Sequence, residues 1–112
     1  MKPKNIKEFK ALVKRYENIT IEEIEDKAEL LGCGFNMGDL AKELTRFGYT
    51  SSCTLCLKVK EQCNLCVYGG CMKCLDHISY DKISGSKSTE QLLKAFRARA
   101  EYLRKTYSQY LH

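Results

Sequence analysis

Apolar residues recur at helical spacing through the first third of the chain: Ile6, Phe9, Val13 and Tyr16, then Ile21, Ile24, Ala28 and Leu31. Charged residues fill the positions between them, so the pattern predicts two amphipathic helices. Thr20, followed three residues on by Glu23, has the form of a capping box. It places the end of the first helix near Asn18 and the start of the second at Ile21, with Gly32 and Gly34 stopping the second. A third helix is expected from Met37 to Phe47, with Asn36 as its N-cap and Asp39 in its first turn. Met37, Leu40, Leu44 and Phe47 would be its buried stripe, and Gly48 the residue past its end.

Beyond Gly48 the helical period is lost. The stretches Leu55, Leu57, Val59 and Val67, Tyr68 are too short to distinguish strands from knuckle turns, and Gly69 and Gly70 mark a turn. Asp81 to Lys87 reads as a polar turn. Ser88 with Gln91 then forms a second capping box, opening a long helix to about Tyr110 with the stripe Leu92, Phe96, Ala100, Leu103, Tyr107 and Tyr110. Lys94, Arg97, Arg104 and Lys105 fall on the opposite face, with Arg99 beside them. The expected architecture is an α-rich small domain spanning 1–112: a helical part at 1–48, a metal-binding insert at 53–77 forming a zinc-bound loop or short hairpin, and a C-terminal helix at 88–110 packing back on the rest.

Composition agrees with one globular domain. The 112 residues are 44% hydrophobic and 29% charged with a single proline, and no apolar run approaches the roughly 20 residues of a membrane helix. The basic start lacks the apolar core and cleavage site of a signal peptide, so the chain is expected in the cytoplasm. In that reducing compartment a cysteine-rich sequence points to metal or redox chemistry before disulfides, and the odd count of seven cysteines agrees.

Six of the seven form three CxxC units: Cys53 with Cys56, Cys63 with Cys66, and Cys71 with Cys74. A CxxC turn supplies two thiolates from one short loop, and two such turns close a tetrahedral zinc site. Cys53, Cys56, Cys71 and Cys74 give CxxC-x14-CxxC, just short of the usual zinc-ribbon interval. Cys63 and Cys66 would then lie at the ribbon's tip or begin a second site. Cys33, in a Gly-Cys-Gly turn, and His77, three residues past Cys74, bring the candidate ligands to eight, the number two zinc ions need. One ion is the simpler reading. Cys33 has the alternative of a small buried residue, and His77 that of a turn cap. Leu57, Val67 and Leu75 stand after the pairs where knuckles often have glycine, so the fold need not be a ribbon. The spacing does not follow the ferredoxin pattern, and no proline follows these cysteines.

Four thiolates and a zinc ion carry −2, so one filled site lowers the formal charge from +5 to +3. The excess is concentrated at residues 81–112, with seven basic and three acidic side chains. The basic face of the last helix, Lys94, Arg97, Arg104 and Lys105, is therefore a candidate for phosphate contact, set against a solvated or protein-binding face. Catalytic constellations are missing: His77 and His112 are the only histidines, and no HExxH or phosphate loop occurs. The expected function is a non-enzymatic zinc-stabilised module binding protein or nucleic acid, with no membrane and no small-molecule substrate; the alternative is a redox or metal-dependent enzyme using a CxxC pair.

The stretch from Cys53-Thr-Leu-Cys56 to Cys74, with Ser79-Tyr-Asp-Lys-Ile and Leu92-Leu-Lys-Ala-Phe-Arg-Ala-Arg-Ala-Glu-Tyr-Leu after it, resembles small cysteine-rich proteins of phages and bacterial mobile elements. The resemblance implies no activity. It implies a phage protein in the host cytoplasm, where small adaptors and inhibitors act on host machinery.

Overall fold

The structure, a computed structural model, describes residues 3–32, 34–46, 66–68 and 77–111. Those residues contain five α-helices: α1 (Ile6–Asn18), α2 (Ile21–Leu31), α3 (Met37–Thr45), α4 (Ile78–Ser84) and α5 (Thr89–Thr106), followed by a 3-10 turn at Ser108–Tyr110. Cys33, Cys53, Cys56, Cys63, Cys71 and Cys74, with the turns expected at Gly48, Gly69 and Gly70, lie outside the described residues.

The caps fall where the hydrophobic pattern placed them. Thr20 accepts from the Glu23 amide and Ser88 from the Gln91 amide, each satisfying a donor that the first helical turn leaves unpaired. Asn36 and Asp39 form a complete reciprocal box, at 2.8 and 3.4 Å. At α5 the return bond is displaced by one residue, because the Gln91 side chain accepts from the Lys87 amide. Glu23 turns to the side instead, pairing with Arg15 at 2.8 Å, while the same arginine donates to the Leu44 carbonyl. Arg15 thus links α1 to both α2 and α3.

The central element is α5, packed against α1, α2 and α4. Its stripe residues Leu92, Phe96, Ala100 and Leu103 are buried against Phe9, Leu12, Val13 and Tyr16 of α1 and Ile24 of α2 in one core. Each fully buried Leu or Phe contributes about 1.5–3 kcal/mol relative to exposure. Tyr16 and Phe96 meet with their centroids 5.4 Å apart.

Three boundaries differ from expectation. The segment read as a polar turn begins inside α4, where Tyr80 and Ile83, three residues apart, enter the core. A helix of seven residues has little stability of its own, so burial against α5 and the His77 cap hold it, neither of which its polar composition reveals. At the second, α3 ends at Thr45 with Arg46 in the left-handed region at φ 61°, before the glycine expected to end it. The last helix likewise ends at Thr106, and Tyr107 and Tyr110 pack on the core from beyond it.

Candidate metal centre

Among the six paired cysteines, Cys66 is the one that lies in the described residues, and the short piece Cys66–Tyr68 is fastened to the helical core. Val67 and Tyr68 are buried. The Tyr68 ring meets Phe9 edge-on at 5.5 Å and Tyr107 at 5.3 Å, while Phe9 and Tyr107 are 5.6 Å apart. Three mutually perpendicular aromatic contacts of this kind contribute about 0.5–1.5 kcal/mol each beyond area burial.

Asn5 completes the attachment. Its side-chain Oδ1 accepts from the Val67 amide at 2.9 Å, and its Nδ2 donates to Cys66 Sγ at 3.2 Å. Asn5 is also the N-cap residue of α1, a position where an Asn side chain normally accepts from its own helix and contributes about 1 kcal/mol. Here it makes no such bond, and the fully buried side chain is directed to the cysteine segment 61 residues away.

On the other side of residues 69–76, His77 is the N-cap of α4, and its Nδ1 accepts from the Ser79 amide at 3.0 Å. A backbone N–H can only donate, so Nδ1 presents a lone pair and the neutral ring carries its proton on Nε2. Ligating histidines do the reverse, donating one ring N–H outward while the other nitrogen holds the metal. A metal at Nε2 would therefore require Nδ1 to release the Ser79 amide. The ring also stacks on Tyr102, with centroids 3.5 Å apart and planes 11° from parallel. Of the two roles open to His77 in the sequence, the structure shows the cap.

Arg99 lies beneath both described ends of the cysteine segment. It is 1% exposed, donates to Ser79 Oγ at 2.9 Å, and places its guanidinium carbon 5.5–5.9 Å from the rings of Tyr68, Tyr80 and Tyr102. Cation–π attraction strengthens when the cation is desolvated, as here. Tyr68 and His77, flanking residues 69–76, are thus brought to one buried cation, through the Tyr68 ring on one side and Ser79 and Tyr102 on the other.

The basic residues of the last helix are divided between two roles. Arg97 donates to the Tyr16 and Ile19 carbonyls, both at 2.6 Å, and Arg104 grips Glu17 with two bonds of 2.5 and 2.6 Å. That grip holds the Glu17 carboxyl below its ordinary range. Lys94 and Lys105 are exposed. All four cations of the face are exposed, and two of them, Arg97 and Arg104, also brace α5 against α1. A groove of about 550 Å³ opens beside Lys94, with Ile78, Ala95 and Ala98 as its apolar lining and Lys82 and Asp81 at its edge. Ile78 is 63% exposed.

Asn5, Ser79 and Arg99 were not singled out by sequence as functional residues of the site. Arg99 reads as one more cation beside the basic face, and the long-range partners of all three residues leave no local signal. Among the described residues no three His, Cys, Asp or Glu side chains gather as a metal site requires, and no helix is long and apolar enough to cross a membrane. Cys66 is half-buried, with the Asn5 side-chain N–H directed at its sulfur. No protein-family model matches the chain, and neither a curated protein nor a solved structure does.

Proposed function

We propose that the chain is a non-enzymatic, zinc-stabilised binding module in which CxxC thiolates from Cys53, Cys56, Cys63, Cys66, Cys71 and Cys74 hold one zinc ion or two, and the helical core presents a surface to a protein partner. The observation that carries this reading is the seating of Cys66–Tyr68 in the core by Asn5, Phe9, Tyr107 and Arg99. A cysteine fastened in this way suits a permanent structural ligand better than a thiol that must reach a redox substrate. His77, occupied as a cap, is left out of the ligand set.

A protein is favoured over nucleic acid because Arg97 and Arg104 are bound within the chain, and zinc thiolates reduce the positive charge further. The groove at Ile78, Ala95 and Ala98, edged by Lys82 and Lys94, suits a protein segment that combines apolar with acidic side chains. A phage protein acting on host machinery would be a binder of this kind.

The test is metal analysis of the purified chain combined with thiol titration and binding to random DNA and RNA across a salt series. The proposal expects zinc, thiols that react only after chelation, and little salt-dependent affinity. A metal-free chain with one reversibly titrating thiol pair would replace it with redox chemistry. Strong binding that falls steeply with salt, and is lost on Lys94→Glu with Lys105→Glu, would replace the protein partner with nucleic acid.

A further inference from the structure

Two large apolar side chains stand exposed among the described residues, Leu30 at 79% and Ile78 at 63%. They lie on surfaces of opposite charge. Leu30 ends a row on α2 that runs from Glu22 through Asp26 at intervals of four residues, so the three share one side of the helix. Glu25 and Glu29 flank that row, and all four carboxylates are exposed. In a chain whose net charge is +5, α2 holds five carboxylates against one lysine. Among the described residues only Glu23 of the five forms an ion pair, with Arg15.

Ile78 has the opposite setting. It lines the groove between α4 and α5 with Ala95 and Ala98, and Lys82 and Lys94 stand at the edge. With only methyl groups at 95 and 98, the floor leaves room for a larger apolar side chain from outside. Asp81 is the one carboxylate of that lining, as Lys27 is the one cation of α2. The two surfaces therefore match as a helix and its groove do, with an apolar anchor for an apolar floor and charged rims of opposite sign.

We propose that the chain associates with itself: α2 of one copy docks in the α4–α5 groove of a second, placing Leu30 against Ile78, Ala95 and Ala98, and Asp26 and Glu29 towards Lys82 and Lys94. The inference rests on the reading of this groove as a protein-docking surface, and identifies the apolar and acidic segment it accepts as one that the chain itself carries. It does not rest on metal. Because α2 and the groove are different surfaces, the contact is heterologous, and each copy offers both halves of it. One such contact is small, so association is reversible and depends on concentration. Self-association then competes with a foreign protein for the same groove.

Sedimentation equilibrium of the full chain, over a concentration series at low and high salt, tests this. The wild type should exceed the monomer mass as concentration rises, and salt should weaken the association by screening its exposed charges. Leu30→Ser and Ile78→Ser change exposed side chains, so both proteins should fold. Each should associate about 10- to 100-fold more weakly, the effect of losing one apolar side chain's removal from water. Lys105→Ala, on α5 but outside the groove, should associate as the wild type does.

The decisive arm mixes the two serine variants. Leu30→Ser keeps its groove and Ile78→Ser keeps its α2, so the mixture should form a heterodimer under conditions where each variant alone is monomeric. A wild type that stays monomeric throughout, serine variants that associate as it does, or a mixture that stays monomeric would each overturn the inference. Native mass spectrometry of the same samples reads zinc separately. Association without zinc overturns the zinc module and leaves self-association standing, and a zinc-loaded monomer does the reverse.

Discussion

Arg97 donates to the carbonyl of Ile19 at 2.6 Å, and its second nitrogen reaches the Tyr16 carbonyl at the same distance. Both acceptors lie at the C-terminal end of α1, where helical carbonyls lack intrahelical partners and the macrodipole favours a cation. A residue that helical spacing assigns to an open basic face is therefore a clamp between α5 and the α1–α2 junction. Arg97→Ala should lower stability by about 1–2 kcal/mol, as loss of hydrogen bonds from a charged group does. Lys94→Ala, one turn away and exposed, should change it by less than about 0.5 kcal/mol. Paired denaturant melts check the difference.

The Arg104–Glu17 pair gives a pH signature. Hydrogen bonding from Arg104, followed by its charge, lowers the Glu17 pKa below its ordinary value of 4.5. A carboxyl depressed on folding contributes stability that is complete above its unfolded pKa and is lost as pH falls through the folded one. The excess melting temperature of the wild type over Arg104→Gln should therefore be constant near neutrality and shrink below about pH 4.5. Carboxylate NMR titration should show Glu17 ionising below the exposed glutamates in the wild type and among them in the variant.

His77 is expected to behave as a cap. Replacement by Ala removes the acceptor for the Ser79 amide and should cost about 0.5–2 kcal/mol, whereas His77→Asn supplies another good cap and should restore most of it. Zinc content should be the same in all three proteins. Ring nitrogen NMR should show the tautomer protonated at Nε2.

At Arg99 a lysine is not an equivalent cation. Its ammonium cannot lie as a plane among Tyr68, Tyr80 and Tyr102 while also bonding Ser79. Arg99→Lys should destabilise by about 1–3 kcal/mol, the scale of a lost charged hydrogen bond at a buried position. Thermal melts and proteolysis of the chain around residues 66–77 report it.

The helical part was legible because its signals are local. Stripes such as Phe9, Val13 and Tyr16 and caps such as Thr20, Asn36 and Ser88 act within one or two turns, so periodicity and spacing expose them. α4 was hidden because a seven-residue helix that runs into the polar stretch from Asp81 forms through Tyr80 and Ile83 entering a core built elsewhere. The site divides in the same way. CxxC spacing announces thiolate pairs, but the residues that fasten Cys66 are Asn5, 61 positions earlier, and Phe9, Tyr107 and Arg99 through the buried Tyr68. Helical phase placed Arg97 and Arg104 on an outer face, where both are exposed, and the packing of α1 against α5 gives them partners on α1 that spacing does not reveal.

Zinc content decides most directly whether the cysteines are structural ligands. Native mass spectrometry of the full chain, purified under reducing conditions and then treated with a strong chelator, should show one or two zinc ions that leave on chelation. The melting temperature should fall with them, since structural zinc contributes about 10–16 kcal/mol in small zinc-finger peptides. A chain that purifies without metal, takes up none, and melts at the same temperature with and without chelator would contradict a zinc-stabilised module.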